Sequence, residues 1–156
     1  ETGQFWESVN FASLRQLPLM FVCENNLYST ATPLNQRQPE GPIYQRVKEF
    51  MWTAQVADDD IEKIWEVAQE CREAGPGFIE VQTYRFLAHV GPNHDWDIGY
   101  RTEEEVREHM ANDALPKVRA RLDEAVAQQI ENSIEERVQT AFERAEAAPW
   151  PEAIRR

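Results

Sequence analysis

An unbroken apolar run, Leu19-Met-Phe-Val-Cys23, stops abruptly at Glu24-Asn25-Asn26. So short a run does not make a globular helix, and it suits a strand buried on both faces, as in a parallel sheet. In open α/β sheets ligands collect just past the carboxyl ends of the strands. Glu24, Asn25 and Asn26 stand at that edge. Amide and backbone oxygens in a fixed turn suit a hard, octahedral cation such as Mg²⁺ holding a phosphate. Asn-Asn after a strand also serves as a plain turn, and these residues alone leave both readings open.

The flanking segments support an α/β reading. Phe5, Val9 and Ala12 repeat at helical spacing over Glu1 to Arg15, and Pro18 ends the pattern. Ser29 to Gly41 is polar and rich in Ser, Thr and Pro, which predicts a loop. Pro42 to Phe50 predicts a short helix on Ile43, Val47 and Phe50. Asp58-Asp59-Asp60 is placed to cap the following helix, Ile61 to Ala74, rather than to hold a cation. That helix carries Ile61, Ile64, Trp65, Ala68 and Cys71 on one face and ends at Gly75-Pro76. Phe78 to Tyr84 follows as a strand, completing an α/β unit.

Arg85 to Gly99 is too irregular for an element and too rich in His, Arg and Asp for an indifferent linker; long loops of this kind are commonly functional. Within it His94 and Asp95 could form an acid/base pair, but solvation in the loop is the preferred reading. Thr102 with Glu105 forms a capping box. Pro116 begins another helix, with Val118, Leu122 and Val126. Ser133 with Glu136 marks a second box, opening an amphipathic helix on Ile134, Val138, Ala141 and Ala145. His109 lies on a helix and reads as structural. The domain division that follows is 1–100 for the α/β part and 101–156 for a helical extension packed on it.

A net charge of −12 speaks against nucleic acid and against an anionic membrane surface, which require basic patches. No apolar stretch is long enough to span a bilayer. Cys23 and Cys71 form no metal or redox spacing and fit a reducing compartment, the cytoplasm.

Gly3-Gln-Phe-Trp-Glu-Ser-Val-Asn-Phe-Ala-Ser-Leu14, Phe21-Val-Cys-Glu-Asn-Asn-Leu-Tyr28, Gly77-Phe-Ile-Glu-Val-Gln-Thr-Tyr-Arg85, His89 and Tyr100-Arg101-Thr-Glu-Glu-Glu105 carry a specific resemblance. Together they resemble the α subunit of the thiamine-diphosphate-dependent 2-oxo acid dehydrogenases, the E1 components of the pyruvate, branched-chain and acetoin complexes, in its carboxyl-terminal portion. The resemblance implies a partial thiamine-diphosphate-binding fold: a mostly parallel sheet flanked by helices, with a helical carboxyl-terminal layer. It implies decarboxylation of a 2-oxo acid with thiamine diphosphate and Mg²⁺, and transfer of the acyl group to a lipoyl-bearing E2 acyltransferase. An E1 β subunit would complete an α₂β₂ assembly. In the family a Gly-Asp-Gly triplet, whose Asp is also a metal ligand, lies shortly before the position of Glu1, so the chain alone is expected to be inactive.

By the same resemblance Asn26 is the amide ligand of the metal, and Tyr28 supplies a backbone carbonyl ligand. His89 is the loop histidine that contacts the diphosphate, and Arg85 organises the loop. Where many members have Gly-His-Ser this chain has Ala88-His89-Val90; Val90 cannot accept phosphate, so control by phosphorylation there is expected to be absent. The segment Phe50 to Asp60 lacks the glycines usual in the family, which implies a differently shaped turn. Two other readings compete: a non-catalytic assembly module that pairs with a β subunit, and a transketolase-like enzyme.

Overall fold

The computed structural model describes residues 2–150, and the chain falls into two compact units, Glu1–Ala114 and Leu115–Arg156. The first unit is an α/β layer. Helix α1 (Gly3–Arg15) leads through Pro18 into strand β1 (Met20–Asn25). A small hairpin follows, β2 (Tyr28–Ser29) and β3 (Thr32–Pro33), and then the short helix α2 (Tyr44–Val47). Strand β4 (Trp52–Ala57), helix α3 (Ile61–Ala74) and strand β5 (Gly77–Gln82) complete the sheet. Helix α4 (Glu103–Ala111) closes the unit.

The three long strands run parallel in the order β1-β5-β4. Met20 and Trp52 both pair with Gly77, and Asn25 and Ala57 both pair with Gln82. All three carboxyl ends therefore finish level at one edge. The ladder continues past the strands, with Thr83 N donating to the Asn25 carbonyl at 3.1 Å and Asp58 N to the Gln82 carbonyl at 3.0 Å.

Each face of the sheet buries its own core. Val9 and Ala12 of α1 pack with Val47, Met51 and Phe78 on one side. Phe5 meets Phe21 and Phe78 edge-to-face, with ring centroids 5.9 and 5.8 Å apart. On the other side Val67 and Cys71 of α3 pack on Val56, Ile79 and Val81. Central β5 is thus buried from Gly77 to Val81, as a strand covered on both faces must be.

The strand expected to be buried on both faces, β1, departs from that expectation. It is an edge strand, its exposure alternates, and Val22 is 56% exposed. The reason is lateral: α3 lies over β4 and β5, which leaves the outer residues of β1 uncovered on that side. A second departure is β4, which occupies the stretch read from the missing glycines as a turn. Trp52, Ala54 and Val56 supply its inward face, a weak alternation interrupted by Thr53 and Gln55. Asp60 caps α3 as expected, accepting from Lys63 N at 2.9 Å.

Helix α5 (Ala114–Arg119) begins on the last residue of the first unit and leads to α6 (Glu124–Ala147) in the second. Asp123 caps α6 by accepting from Ala125 N, and the helix runs through Ser133 without a break. The predicted second capping box is therefore mid-helix. Arg119 bridges Glu124 at 2.8 Å and Glu131 at 2.7 Å. Leu122, Val126, Ile130, Ile134, Val138 and Phe142 form an exposed stripe at intervals of four. No helix among the described residues is long and apolar enough to cross a membrane.

Gly77 marks the tightest approach of α3 to the sheet. A Cβ there would fall on the Cys71 sulfur, with Trp52 atoms 3.4 Å away. Gly77→Ala is expected to cost roughly 1–3 kcal/mol of stability, the range for overpacking a filled core. Urea unfolding reads this directly, and an unchanged midpoint would show that Cys71 turns aside without penalty.

Candidate functional site

The corner after β1 is built from two successive amide turns. Asn25 Oδ1 accepts from Leu27 N at 3.1 Å, and Asn26 Oδ1 accepts from Tyr28 N at 3.0 Å. Between them Leu27 takes a left-handed φ of 67°, uncommon for an apolar residue. The hairpin then places Tyr28 opposite Pro33 and Ser29 opposite Thr32, while Leu34 N donates to the Leu27 carbonyl at 2.7 Å. With that hydrogen bond from Leu34 N to the Leu27 carbonyl flanking it, the Tyr28/Pro33 pair is non-hydrogen-bonded, and Pro33 has no N–H to give. The Tyr28 carbonyl therefore points outward, on the edge that also carries Asn26 Oδ1.

The Tyr28 side chain is fixed from α4. Its hydroxyl donates to Glu105 Oε1 at 2.9 Å, and the Tyr84 hydroxyl donates to the same oxygen at 2.7 Å. Burial, and then Glu105, pushes the Tyr28 hydroxyl up to about 12, so it remains a donor. Thr102 caps α4 by accepting from Glu105 N at 3.2 Å; the Glu105 carboxylate serves the two tyrosines. His109 stacks on Tyr84 with centroids 3.8 Å apart, the structural role read for it.

The loop after β5 is held by a buried ion pair rather than solvated. Arg101 and Asp95 are 4% and 6% exposed. Arg101 Nε donates to Asp95 Oδ1 at 2.8 Å, and its other nitrogens reach the carbonyls of Arg85 and Leu87. Tyr100 donates to Asp95 and accepts from Arg85 Nη2 at 2.7 Å. Burial pushes the Asp95 carboxyl up, but bonds from Tyr100 and Arg101 with the two arginine charges outweigh it and hold the group below the usual range. The reading of Asp95 as a solvated loop residue is thus overturned. His94 stays at the surface, stacked on Trp96 at 3.9 Å.

Arg85 joins this loop to the corner. Its Nη2 donates to the Thr30 carbonyl at 2.9 Å, gripping a turn in which Thr30 has a φ of 55°. Its Nη1 lies 3.5 Å from His89 Nδ1, with His89 itself exposed. The Tyr28 and Tyr100 rings meet at 5.3 Å. Of the four residues singled out, Asn26 and Tyr28 share the hairpin edge, Arg85 reaches that hairpin, and His89 sits beside Arg85. The sequence reading missed the part played by Asn25, Asp95, Arg101 and Glu105, which orient them. Each finds its partner in a distant segment, and no local spacing announces such a pairing.

The level strand ends also form one wall of a cavity of about 630 Å³ whose lining includes Asn25, Leu27, Gln82, Tyr84 and His109. Among the described residues no three His, Cys, Asp or Glu converge on a metal site. Asn26 Oδ1 and the Tyr28 carbonyl are the neutral oxygens that this corner could offer a cation. Both are hard donors on one edge, which fits Mg²⁺ carrying diphosphate oxygens.

Comparison with known proteins defines the class. The model of the dehydrogenase E1 component family matches residues 1–154. The chain belongs to that family, which decides against the transketolase-like reading. It is 33% identical over 97% of its length to the mitochondrial pyruvate dehydrogenase E1 component subunit alpha of Dictyostelium discoideum, covering 42% of that protein. It is 32% identical over 96% of its length to the Rickettsia typhi pyruvate dehydrogenase E1 component subunit alpha, and 31% identical over 95% to the Bacillus subtilis 2-oxoisovalerate dehydrogenase subunit alpha. It covers 48% of each of those two proteins. The chain thus spans less than half the length of these relatives, and corresponds to part of an E1 alpha subunit.

Because the Asp95 carboxyl is held low in the folded state, its contribution is present above the unfolded value, about 4, and is lost as pH falls through the folded value. Hydrogen exchange in the 85–101 loop is expected to stay slow from neutral pH down to about 4 and to quicken below it. Asp95→Asn should abolish that acid step; a step that survives the substitution would assign it to another group.

Proposed function

We propose that this chain is the cofactor-holding part of the alpha subunit of a 2-oxo acid dehydrogenase E1, acting with Mg²⁺ and thiamine diphosphate. The observation that carries the reading is the hairpin edge, where Asn26 Oδ1 and the Tyr28 carbonyl face outward past the carboxyl end of a parallel strand. When bound, thiamine diphosphate supplies the carbon nucleophile that adds to the 2-oxo carbon and the ring that takes up the electrons as CO₂ leaves. The protein's own work is to bind and orient. Asn26 through its Oδ1 and Tyr28 through its carbonyl would hold the cation. His89, with Nδ1 turned to Arg85, carries its hydrogen on Nε2 when neutral and can donate it to a diphosphate oxygen. Arg85 keeps that histidine and the hairpin turn in fixed relation.

The acyl group passes to a lipoyl-bearing E2 acyltransferase, and an E1 β subunit completes the active centre in an α₂β₂ assembly. The free thiols Cys23 and Cys71 suit a reducing compartment, the cytoplasm in a bacterium; relatives of the chain include mitochondrial and chloroplastic forms. A second reading, an assembly module without cofactor, draws on the exposed apolar stripe of α6, a face suited to a partner chain.

Calorimetric titration of the complete α/β enzyme with Mg²⁺ and thiamine diphosphate separates the two. Asn26→Ala is expected to raise the Mg²⁺ requirement by roughly 10–100-fold and cut turnover, with little change in melting temperature. Unaltered metal dependence would reject the ligand assignment. His89→Ala should weaken cofactor affinity more than it lowers the melting temperature of the apo protein, and the opposite ranking would make His89 a structural residue.

A further inference from the structure

We infer that Glu80 is a positioning residue for the metal-binding corner, acting through the side-chain amide of Asn25; the inference rests on the cofactor reading above. Glu80 lies in the central strand β5 and is 1% exposed. A carboxylate so buried requires donors, and it has two. Oε1 accepts from Asn25 Nδ2 at 2.7 Å, and Oε2 accepts from Tyr44 N, at the start of α2, at 2.8 Å.

The first bond has a directional consequence. Only the nitrogen end of an amide can face a carboxylate, so Glu80 decides which way Asn25 points. Its oxygen is then turned toward Leu27 N. That bond closes the turn in which Leu27 holds its left-handed φ of 67°, and the turn presents Asn26 Oδ1 and the Tyr28 carbonyl on the outer edge. The chain of orientation runs from Glu80 to Asn25, from Asn25 to Leu27, and from Leu27 to the two ligand oxygens. The second bond refers the start of α2 to the same carboxylate.

Glu80→Gln keeps shape but leaves one acceptor oxygen for two donors, so its NH2 must face either Asn25 Nδ2 or Tyr44 N. Where it faces Asn25, that amide turns away or flips, and either motion withdraws its oxygen from Leu27; where it faces Tyr44, the start of α2 loses its reference to β5. Asn25→Asp sets two carboxylates face to face. Combining the two substitutions restores all three bonds, with donor and acceptor exchanged in the one between positions 80 and 25. The amide introduced at position 80 donates its N–H to the carboxylate introduced at position 25, and its oxygen accepts from Tyr44 N. The new carboxylate also accepts from Leu27 N.

The test uses the full-length α subunit assembled with its β partner. Two readouts are taken: the half-saturating Mg²⁺ for thiamine diphosphate binding by calorimetry, and hydrogen exchange over residues 24–30 without ligand. Each single variant should weaken Mg²⁺ by ~10–100-fold, the usual effect of residues that orient a metal ligand, and should speed exchange at the corner. The E80Q/N25D double variant should recover most of both losses, which a residue important only for packing would not do. A single variant with wild-type Mg²⁺ affinity, or a double variant as weak as the singles, overturns the inference. If E80Q does not assemble, a double variant that assembles and binds supports the inference, and one that also fails to assemble overturns it. A wild-type enzyme that ignores Mg²⁺ and thiamine diphosphate would remove the cofactor reading itself; exchange at the corner would then still decide whether Glu80 sets it.

Discussion

The ladder of β5 with its two parallel neighbours is the constraint on which the rest of the structure depends. Because Gly77 is level with both Met20 and Trp52, the carboxyl ends of three strands finish together. A shift of one residue in either pairing would turn alternate side chains to the wrong face. It would carry Asn25 away from Glu80 and Val56 out of its core. The register is held from both faces, by Phe78 against α1 and by Ile79 and Val81 against α3. Polar geometry at the site is thus inherited from apolar packing in the middle of the sheet.

From that level edge two segments depart and meet again. The hairpin after β1 turns under the control of side-chain amides, and the loop after β5 is gathered around Asp95 and Arg101. Arg85 and the Tyr28/Tyr100 pair join them. Buried pairs of this kind add little net stability, since desolvation offsets attraction. What they supply is a single arrangement for a long irregular segment. The cation site proposed at this corner would require that definition more than stability.

Much of this was legible in the sequence because it rests on local patterns. The α3 helix shows its extent and its cap at Asp60 as read; of the face read from Ile61 to Cys71, Ile64, Ala68 and Cys71 pack on the sheet, whereas Ile61 and Trp65 are exposed and Val67 is buried instead. The α1 helix and the β5 strand follow from the same periodicities, and the resemblance placed Asn26, Tyr28, Arg85 and His89 in one neighbourhood. What could not be read depends on partners distant in the chain. Thr53 and Gln55 obscure the period of β4, which exists because β5 offers it an edge. Asp95 has the look of a surface acid until Arg101 and Tyr100 fold over it. Ser133 and Glu136 have the spacing of a capping box, but Asp123 had already started the helix, and tertiary continuity overrode the local signal. Glu80, charged and central in a strand, gives no sign in sequence that its two acceptors meet Asn25 and Tyr44.

The open side of β1 has a consequence for how the polypeptide behaves in solution. An uncovered strand with an apolar residue such as Val22 facing water offers unpaired backbone groups to any extended segment that approaches. Two copies meeting edge to edge would satisfy one another and grow toward larger aggregates. The net charge of −12 opposes that meeting through repulsion, which added salt weakens. Colloidal stability of the polypeptide on its own therefore falls as ionic strength rises, and covering the β1 edge removes the dependence.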